Sequence, residues 1–472
     1  MSETPNTSVT ADTENLGHGL KVRHLTMMGL GSAIGAGLFL GTGVGIQAAG
    51  PGVLLSYIIA AVIVVMVMRM LGEMASARPA SGAFSTYAEM AFGPWAGFVM
   101  GWLYWFMLVM VLGAEITAAG AIMGAWFNVP GWIPGLICVV FFAVVNLAKV
   151  RGFGEFEFWF AFIKVAVIIG FLIIGAAMIF GLLPGTSFIG MSNIAESGFL
   201  PNGIAGVSAG LLAVAFAFGG IEIITIAAAE SEDPKRSIIT AVRSVIIRIL
   251  VFYIGSVLVI ITLLPYSQIQ GADNAAESPF TLVLQQANIP GVVGFMELVI
   301  VLALLSAFNA QIYGTSRLVY SMSRRGEAPR FFDKVNKESV PVRAVLMSMT
   351  FAFLSVGIQL VFDGSSVLVF LLNAVGGCLL VLWLFISLSE IKLRPQLQRN
   401  GEIELKMWGY PYLPWLTILL IVGLGVLMLF DAAARQQVIA VLMVTGFLAL
   451  LAVMTSSRRS KGRTDAKSRG SS

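Results

Sequence analysis

The 472-residue sequence predicts an all-α membrane protein of about twelve transmembrane helices. Two observations carry that expectation. Only 11% of the residues are charged and 58% are hydrophobic, with a mean hydropathy of +0.90, whereas a soluble domain carries about 25% charged residues. In addition, about twelve apolar stretches, most of them near the roughly 20 residues that a spanning helix needs, follow one another with short polar connections. No room remains for a soluble domain.

The stretches run over 26–47, 53–72, 95–125, 131–148, 158–182, 204–229, 243–264, 291–322, 342–361, 366–389, 412–430 and 437–455. Residues 1–20, MSETPNTSVTADTENLGHGL, lack the basic-then-apolar layout of a cleavable signal and read as a disordered tail. Insertion is therefore expected to rely on the first spanning helix. With an even number of spans, alternate loops share a side with both termini. One set holds Lys21, Arg23, Arg78, Lys149, Arg151, Lys235, Arg236, Arg324, Arg325, Lys392, Arg394, Arg399 and Lys406, and the segment 457–472 adds a basic tail. The other set holds Glu196, Asp273, Glu277, Asp363 and Asp431, with Arg435 as its one basic residue. The positive-inside rule then places both termini in the cytoplasm. A pI near 9.1 reflects these loops and gives no reason to expect nucleic-acid binding. Cys138 and Cys378 lie inside apolar runs and read as small buried hydrophobes, neither a disulfide nor a metal pair.

Two spans are interrupted. GLGSAIGAGLFLGTGVG, Gly29 to Gly45, puts seven glycines in seventeen residues, each costing roughly 1 kcal/mol against alanine in a helix interior. One explanation is close helix packing through the pairs Gly31/Gly35 and Gly37/Gly41. The other is a break near the midplane that turns the backbone N–H groups of Gly35, Ala36 and Gly37 toward an anion. Span 6, AFAFGGIEIITIAAAE, carries Gly219 and Gly220 at its middle with Glu222 just beyond. Breaks five spans apart point to two inverted five-helix repeats with a substrate site between them. N–H groups at one break suit a carboxylate and free carbonyls at both suit an ammonium, so the site fits an amino acid.

The residues resemble a family at this point: the amino acid, polyamine and organocation transporters, in the bacterial amino acid transporter branch that includes aromatic amino acid, phenylalanine and 4-aminobutyrate permeases. The carrying motifs are GLKVRHLTMMGLGSAIGAGLFLG (19–41), AGPGVLLSYIIA (49–60), MLGEMASARPASGAFSTYA (70–88), GWLYW (101–105), GFGEFEFWFAFIKV (152–165), FLPNG (199–203), AFAFGGIEIITIAAAES (215–231) and SRLVYSMSRRGEAP (316–329). The wording is most similar to aromatic amino acid permeases, while the end of span 6 also resembles 4-aminobutyrate permeases. The resemblance implies a LeuT-type fold: a single transporter domain over 21–456, with repeats at 26–182 and 204–389 and two further helices at 412–455. It implies import of an amino acid, aromatic or else 4-aminobutyrate or another neutral one, by alternating access driven by a proton gradient, with exchange as the other mode. No cofactor is implied, and the expected partners are the amino acid and membrane lipids, the chain being a monomer or weak homo-oligomer. Carried over by position, the substrate carboxylate meets Gly35, Ala36 and Gly37 with Ser32 close by. The ammonium meets carbonyls of Ala33, Ile34, Phe216 and Gly219, and Phe216 stands where relatives carry a gating aromatic, often Trp.

An ionisable residue within a span is a functional candidate by default. Lys164, in FAFIKVAVIIG, has no charge beside it in its own segment; it either couples protons or bonds carbonyls of span 1. In transporters similar to this one, a span 5 lysine reaches the broken part of span 1. Glu222 either takes the coupling proton or caps N–H groups freed by the break. Glu115, in VLGAEITAAG, is expected to face the bundle interior, in the substrate path or as structure. Glu230, at the end of span 6, is either a gate residue or a solvated helix end. Arg69 and Glu73, four apart, read as an ordinary helix pair. Tyr104, Trp105, Phe106, Asn309, Tyr313 and Asn373 are candidates for lining the side-chain pocket. An enzyme is disfavoured because His18 and His24 are the only histidines and no metal or nucleophile motif stands out. A channel is disfavoured by the lack of a filter repeat, and ATP-driven transport by the lack of a GxxxxGK[ST] loop.

Overall fold

A computed structural model describes residues 34–80, 82–147, 153–183, 187–219, 222, 225, 231, 233–269, 278–336, 340–430 and 432–469. The expected tail at 1–20 and the candidates Ser32, Ala33, Gly220 and Glu230 lie outside these residues.

The described residues form helices and no β-strand. A π-helical turn, Gly37–Gly41, leads into α1 (Thr42–Ala49), followed by α2 (Val53–Ala77), α3 (Ala83–Phe92), α4 (Pro94–Phe127), α5 (Trp132–Leu147), α6 (Phe153–Ile179), α7 (Ser192–Ser197) and α8 (Gly203–Ala217). After the second break come α9 (Pro234–Arg248), a π-helical turn Ile249–Ile254, α10 (Gly255–Leu263), α11 (Pro279–Gln286), α12 (Val292–Arg325), α13 (Val342–Ile358), α14 (Gly364–Arg399), α15 (Tyr412–Met428) and α16 (Ala432–Arg469).

Local chemistry sets the ends. Gly50 adopts φ +62°, which a side chain resists, and a Cβ there would stand 2.5 Å from Pro201 Cγ, so the chain turns between α1 and α2 at a glycine. Pro94 opens α4, where its missing N–H costs nothing, and Asn128 closes it in the left-handed region. Asp363 caps α14 by accepting from the N–H groups of Ser365 and Ser366 at 3.0 and 3.4 Å. Gly326, also left-handed, ends α12 behind Arg324 and Arg325, cations that suit a helix C-terminus.

Among the described residues, six helical stretches are long and apolar enough to cross a membrane: 37–77, 94–127, 158–179, 292–325, 364–399 and 435–454. Five shorter apolar helices fall at 132–147, 203–217, 251–263, 342–358 and 412–428. The first long stretch is divided at Gly50, so every expected span position holds helix. Several boundaries differ from expectation. The second span runs on to Ala77 and the tenth to Arg399, while the seventh starts at Pro234. The short helices α3, α7 and α11 fall between expected spans, because segments without a long apolar run leave no hydropathy signal.

The long helix α4 is the axis of the bundle, packing on α3, α5, α12, α13, α14 and α16. Its most apolar stretch is 78% buried, against 11% in α16, which lies at the periphery. Exposed apolar side chains such as Ile137, Phe141 and Val144 on α5 and Leu442, Phe447 and Leu450 on α16 form an outer face suited to lipid. Cys378 is buried, Cys138 is half-buried, and both are free thiols.

The loops expected on one side do meet at one end. Arg78 donates to Glu402 in a two-pronged pair at 2.7 and 3.1 Å, and its guanidinium holds the Glu402 carboxyl below the ordinary carboxylate range. Lys235 pairs with Glu404 at 2.9 Å. Arg325 donates to Ser85, Thr86, Ser321 and Glu327 and pairs with Glu89 at 3.2 Å, tying α12 to α3. At the other end Trp126 donates to Glu297 at 2.8 Å and Asn202 to the Ala48 carbonyl at 2.9 Å. Arg69 and Glu73 are not the local pair that their spacing suggests. Arg69 donates to the Lys406 carbonyl at 2.9 Å and lies over the Trp408 ring. Glu73, fully buried, accepts from Arg394 at 3.1 Å and from the Met407 N–H, because α2 turns that face toward α14 and the loop after it.

Candidate functional site

The described chain begins at the first expected break and α8 ends at the second, and these two ends meet. Gly37, Gly41 and Gly45 form a stripe spaced by four along the π-turn and α1, and α8 lies against it. A Cβ on Gly37 would fall 2.5 Å from Ala217 Cα, one on Gly41 3.6 Å from the Ala213 carbonyl, and one on Gly45 3.9 Å from the Gly210 carbonyl. The numbers rise on one strand as they fall on the other, so the half-helices run antiparallel with their backbones nearly touching. The glycines thus do what small residues do at a helix interface. They also carry the end of α8, Ala217, up to the start of the first break.

At that start the backbone is opened. The Leu38 and Phe39 N–H groups turn back to the Gly35 carbonyl, and the Ala36 N–H points away from its own helix. It donates to both oxygens of Glu115, at 3.0 and 3.2 Å, from the middle of α4. Gly35 lies so close that any Cβ would strike the same carboxylate. A negative group at the N-terminal end of a helix is favoured by unsatisfied N–H groups and by the backbone dipoles. A carboxylate of the protein itself therefore sits where the sequence puts a substrate carboxylate. Lys164, buried on α6, acts electrostatically on Glu115.

The second break is tightened. Phe218 and Gly219 donate back to the carbonyls of Ala215 and Phe216 at 3.1 and 2.8 Å, so the Phe216 carbonyl, expected to face an ammonium, already accepts in a turn. Its ring packs toward Gly37 and Gly41. Glu222, buried beyond the break, accepts from the Trp383 indole at 3.3 Å, while its own carbonyl accepts from Thr225.

An aromatic group bridges the breaks. Tyr253 stacks on Phe218 with centroids 4.9 Å apart, and Tyr57 packs against both at 6.4 and 6.1 Å. Tyr57 also shares a 2.8 Å hydrogen bond with Thr42 in α1. From the far side, Ser278 donates to the Phe39 carbonyl at 2.7 Å, which seats α11 on the π-turn.

The remaining candidates are placed as follows. Tyr104 is buried, packs edge-on to Phe84 and lies within electrostatic reach of Glu222. Asn309 accepts from Asn146 at 2.9 Å, which turns it toward α5. Asn373 lies half-buried on α14. Trp105 packs on Phe351, and Tyr313 lies under Arg317. Among the described residues no group of three or more His, Cys, Asp or Glu is arranged to hold a metal ion. Arg248 is missing from the candidates that the sequence suggests, although a single cation between apolar runs in SVIIRILVFYIG marks it. It is buried, within electrostatic reach of both Tyr253 and Glu222.

A family model, Amino acid permease, matches residues 24–461. The chain belongs to the amino acid permease family. The permease is 68% identical over 451 residues, 95% of its length and 97% of the relative's, to the aromatic amino acid transport protein AroP of Corynebacterium glutamicum. It is 41% identical to the gamma-aminobutyric acid permease of Bacillus subtilis, over 93% of its own chain and 94% of that protein. It is 37% identical to AroP of Escherichia coli strain K12, over 88% of its own chain and 90% of that protein. The match spans both breaks, Glu115, Lys164 and Arg248, so the site belongs to the part of the chain that the family shares.

Proposed function

We propose that the permease imports aromatic amino acids together with protons, by alternating access about the paired breaks. The observation that carries this is the Glu115 carboxylate on the Ala36 N–H, with Lys164 acting on it from α6. As a carboxylate, Glu115 competes with the substrate carboxylate for the same N–H groups. A proton taken by Glu115 removes the charge that makes it a strong acceptor, and a substrate carboxylate then replaces it at Gly35 to Gly37. Proton and substrate enter together, and the proton leaves when Glu115 reclaims the N–H groups.

The architecture fits a LeuT-type pair of inverted repeats followed by two helices, twelve crossings in all. Helix at every expected position and the meeting of Gly37 with Ala217 support it. The end that gathers Arg78, Lys235 and Arg325 is the cytoplasmic one by the positive-inside rule, and the membrane is the bacterial inner membrane. Phe216 serves as the gate, a reading supported by its ring lying against Gly37 and Gly41. Identity of 68% to an aromatic amino acid transporter favours an aromatic cargo. The 41% identity to the gamma-aminobutyric acid permease of Bacillus subtilis supports a second reading, with 4-aminobutyrate as cargo.

The test uses purified protein in proteoliposomes with an imposed pH gradient. Labelled phenylalanine, tyrosine and tryptophan should accumulate, a protonophore should abolish that accumulation, and Glu115→Gln should remove its dependence on pH. Uptake that follows sodium and ignores the protonophore would overturn the coupling. In a competition panel, inhibition by 4-aminobutyrate alone would overturn the choice of cargo.

A further inference from the structure

Residues 402–410, between α14 and α15, run without helix across the end that gathers the basic loops. Their side chains alternate as in an extended strand: Leu405 and Met407 are buried, while Glu404, Lys406 and Trp408 are exposed. Three helices meet this strap. At the end of α2, Arg78 donates to Glu402 at 2.7 and 3.1 Å. Within α2, Arg69 donates to the Lys406 carbonyl at 2.9 Å and lies 4.7 Å over the Trp408 ring, and Glu73 accepts from the Met407 N–H. On α9, Lys235 pairs with Glu404 at 2.9 Å. On α14, Arg394 donates to Glu73 at 3.1 Å and to Glu390 at 3.3 Å, and lies 4.1 Å over the Tyr410 ring. Leu405 fills the seam between two of the helices. A Cβ on Gly72 of α2 would stand 2.9 Å from Leu405 Cδ2 and 2.7 Å from Val242 Cγ2 of α9.

These contacts differ in weight. The side chains of Lys235 and Glu404 are 50% and 46% accessible, and those of Arg78 and Glu402 27% and 28%, so water screens both pairs and each contributes little. Glu73 and Glu390 are fully buried, and the Arg394 side chain is 10% accessible. Glu73 is the anchor, because Arg394 of α14 and the Met407 N–H of the strap converge on its one oxygen Oε2. Parting α2 from α14 takes Arg394 away, and a buried charge left without its partner shifts an equilibrium by about a hundredfold or more. Lifting the strap removes the Met407 donor from the same carboxylate and uncovers the seam under Leu405. Cargo can offset such a step only through contacts that differ between the two states. The proposed cargo site at Gly35 to Gly37 is built from other residues.

We propose that the strap is a permanent bolt: it holds the ends of α2, α9 and α14 together throughout the transport cycle, so that these helices move as one body and the passage at that end opens elsewhere. This rests on alternating access as the mode of transport.

The experiment uses the full chain in proteoliposomes, with wild type treated in the same way as reference. Arg78→Cys/Glu402→Cys ties the strap to the end of α2, and Lys235→Cys/Glu404→Cys ties it to α9. Both replace only screened pairs and leave Glu73 and Arg394 in place. Each is bridged with a short bifunctional thiosulfonate, reopened with dithiothreitol, and the bridged fraction is read from the linked peptides by mass spectrometry. Gradient-driven uptake of labelled phenylalanine by each bridged protein should stay within threefold of the same protein reopened. A larger fall on bridging, restored by the reductant, means that the strap parts from its helix in every cycle and overturns the proposal. In a second measurement, N-ethylmaleimide should label Met407→Cys at least tenfold more slowly than Lys406→Cys, and phenylalanine with the pH gradient should leave that ratio within threefold. Protection lost during turnover would overturn the bolt as well. Glu73→Gln keeps the shape of the anchor and removes its charge, so it should raise labelling at position 407 at least tenfold over Glu404→Gln; equal labelling in the two would refute the anchor. If Glu73→Gln does not assemble, the bridged proteins and Met407→Cys, which retain Glu73, decide. Wild type that does not accumulate phenylalanine sinks the proposed cargo or its coupling, and the bridges are then read with the amino acid that the competition panel selects. Wild-type accumulation beside a bridged protein that stops sinks only the bolt.

Discussion

Replacing Gly37 by alanine tests the close approach of the two breaks with a single methyl group. The new Cβ would fall 2.5 Å from Ala217 Cα, 3.2 Å from Ala217 N and 3.2 Å from Phe216 Cδ1. Two of these atoms are backbone and cannot swing aside. Reaching an ordinary carbon contact of about 3.6 Å requires the half-helices to part by about 1 Å. Overpacking of this kind costs about 1–3 kcal/mol, which is roughly 5- to 150-fold in an equilibrium between working and displaced geometries. Helix propensity pulls the other way, favouring alanine by about 1 kcal/mol. The sign of the result therefore separates sterics from propensity. Gly446→Ala on α16 is the control, since nothing lies within 4 Å of a Cβ there. The assay is initial uptake of labelled phenylalanine into cells, normalised to the amount of folded protein in the membrane. Gly37→Ala should lose at least fivefold in uptake per molecule, while Gly446→Ala keeps it. Wild-type uptake in Gly37→Ala would refute the close approach of the breaks and the site built on it.

Lys164→Ala should assemble and bind substrate yet lose concentrative uptake at least tenfold, measured as the ratio of internal to external label; full accumulation would remove Lys164 from the coupling. The Arg78–Glu402 pair should make stability depend on pH in one direction. The Glu402 carboxyl lies below its ordinary range in the folded protein, so its contribution is complete above the unfolded value of about 4.3 and is lost as pH falls through the folded value. The pair is partly exposed, with side chains 27% and 28% accessible, so about 1 kcal/mol is at stake. In detergent, Glu402→Gln should unfold at a lower temperature than wild type at pH 7, and the difference should shrink below about pH 4. A difference that grows toward acid would show that Arg78 does not stabilise the carboxylate.

The apolar spans were legible in the sequence because they leave local marks, and so were the places where described helix starts or stops. Apolar runs mark a helix in lipid, and Gly35, Gly37 and Gly219 fall where the described helix begins after Gly35 and where α8 ends in a turn. What completes the site left no local mark. The partner of Ala36 is Glu115, 79 residues away, and the partner of Glu222 is Trp383, 161 residues away. Such pairings are fixed only when helices pack. Glu73 shows the same limit from the other direction: spacing of four suggested Arg69, but burial against α14 gave it Arg394, 321 residues away. The π-turns were hidden as well, since GLFLG and ILVFYI are ordinary apolar sequences whose register is set by what they face. Arg248 was visible but unweighted, because a single cation in a span says nothing about its surroundings until the fold buries it.

An interrupted helix in a membrane leaves backbone donors that no water satisfies, and each is costly to bury alone. In this permease Glu115 meets that cost at Ala36. On the function proposed above, the cargo displaces an acceptor as strong as its own carboxylate, so binding reflects the difference between two similar interactions rather than the whole of one. Small changes in the charge of Glu115 therefore swing occupancy widely, which is the property a proton-coupled carrier needs. The same competition selects for a zwitterion. An aromatic amine of identical ring size lacks the group that replaces Glu115 and leaves the Ala36 donor to the protein. On this reading the side-chain pocket sets which amino acid is carried, while the contest for the N–H groups of the first break sets that it must be an amino acid at all.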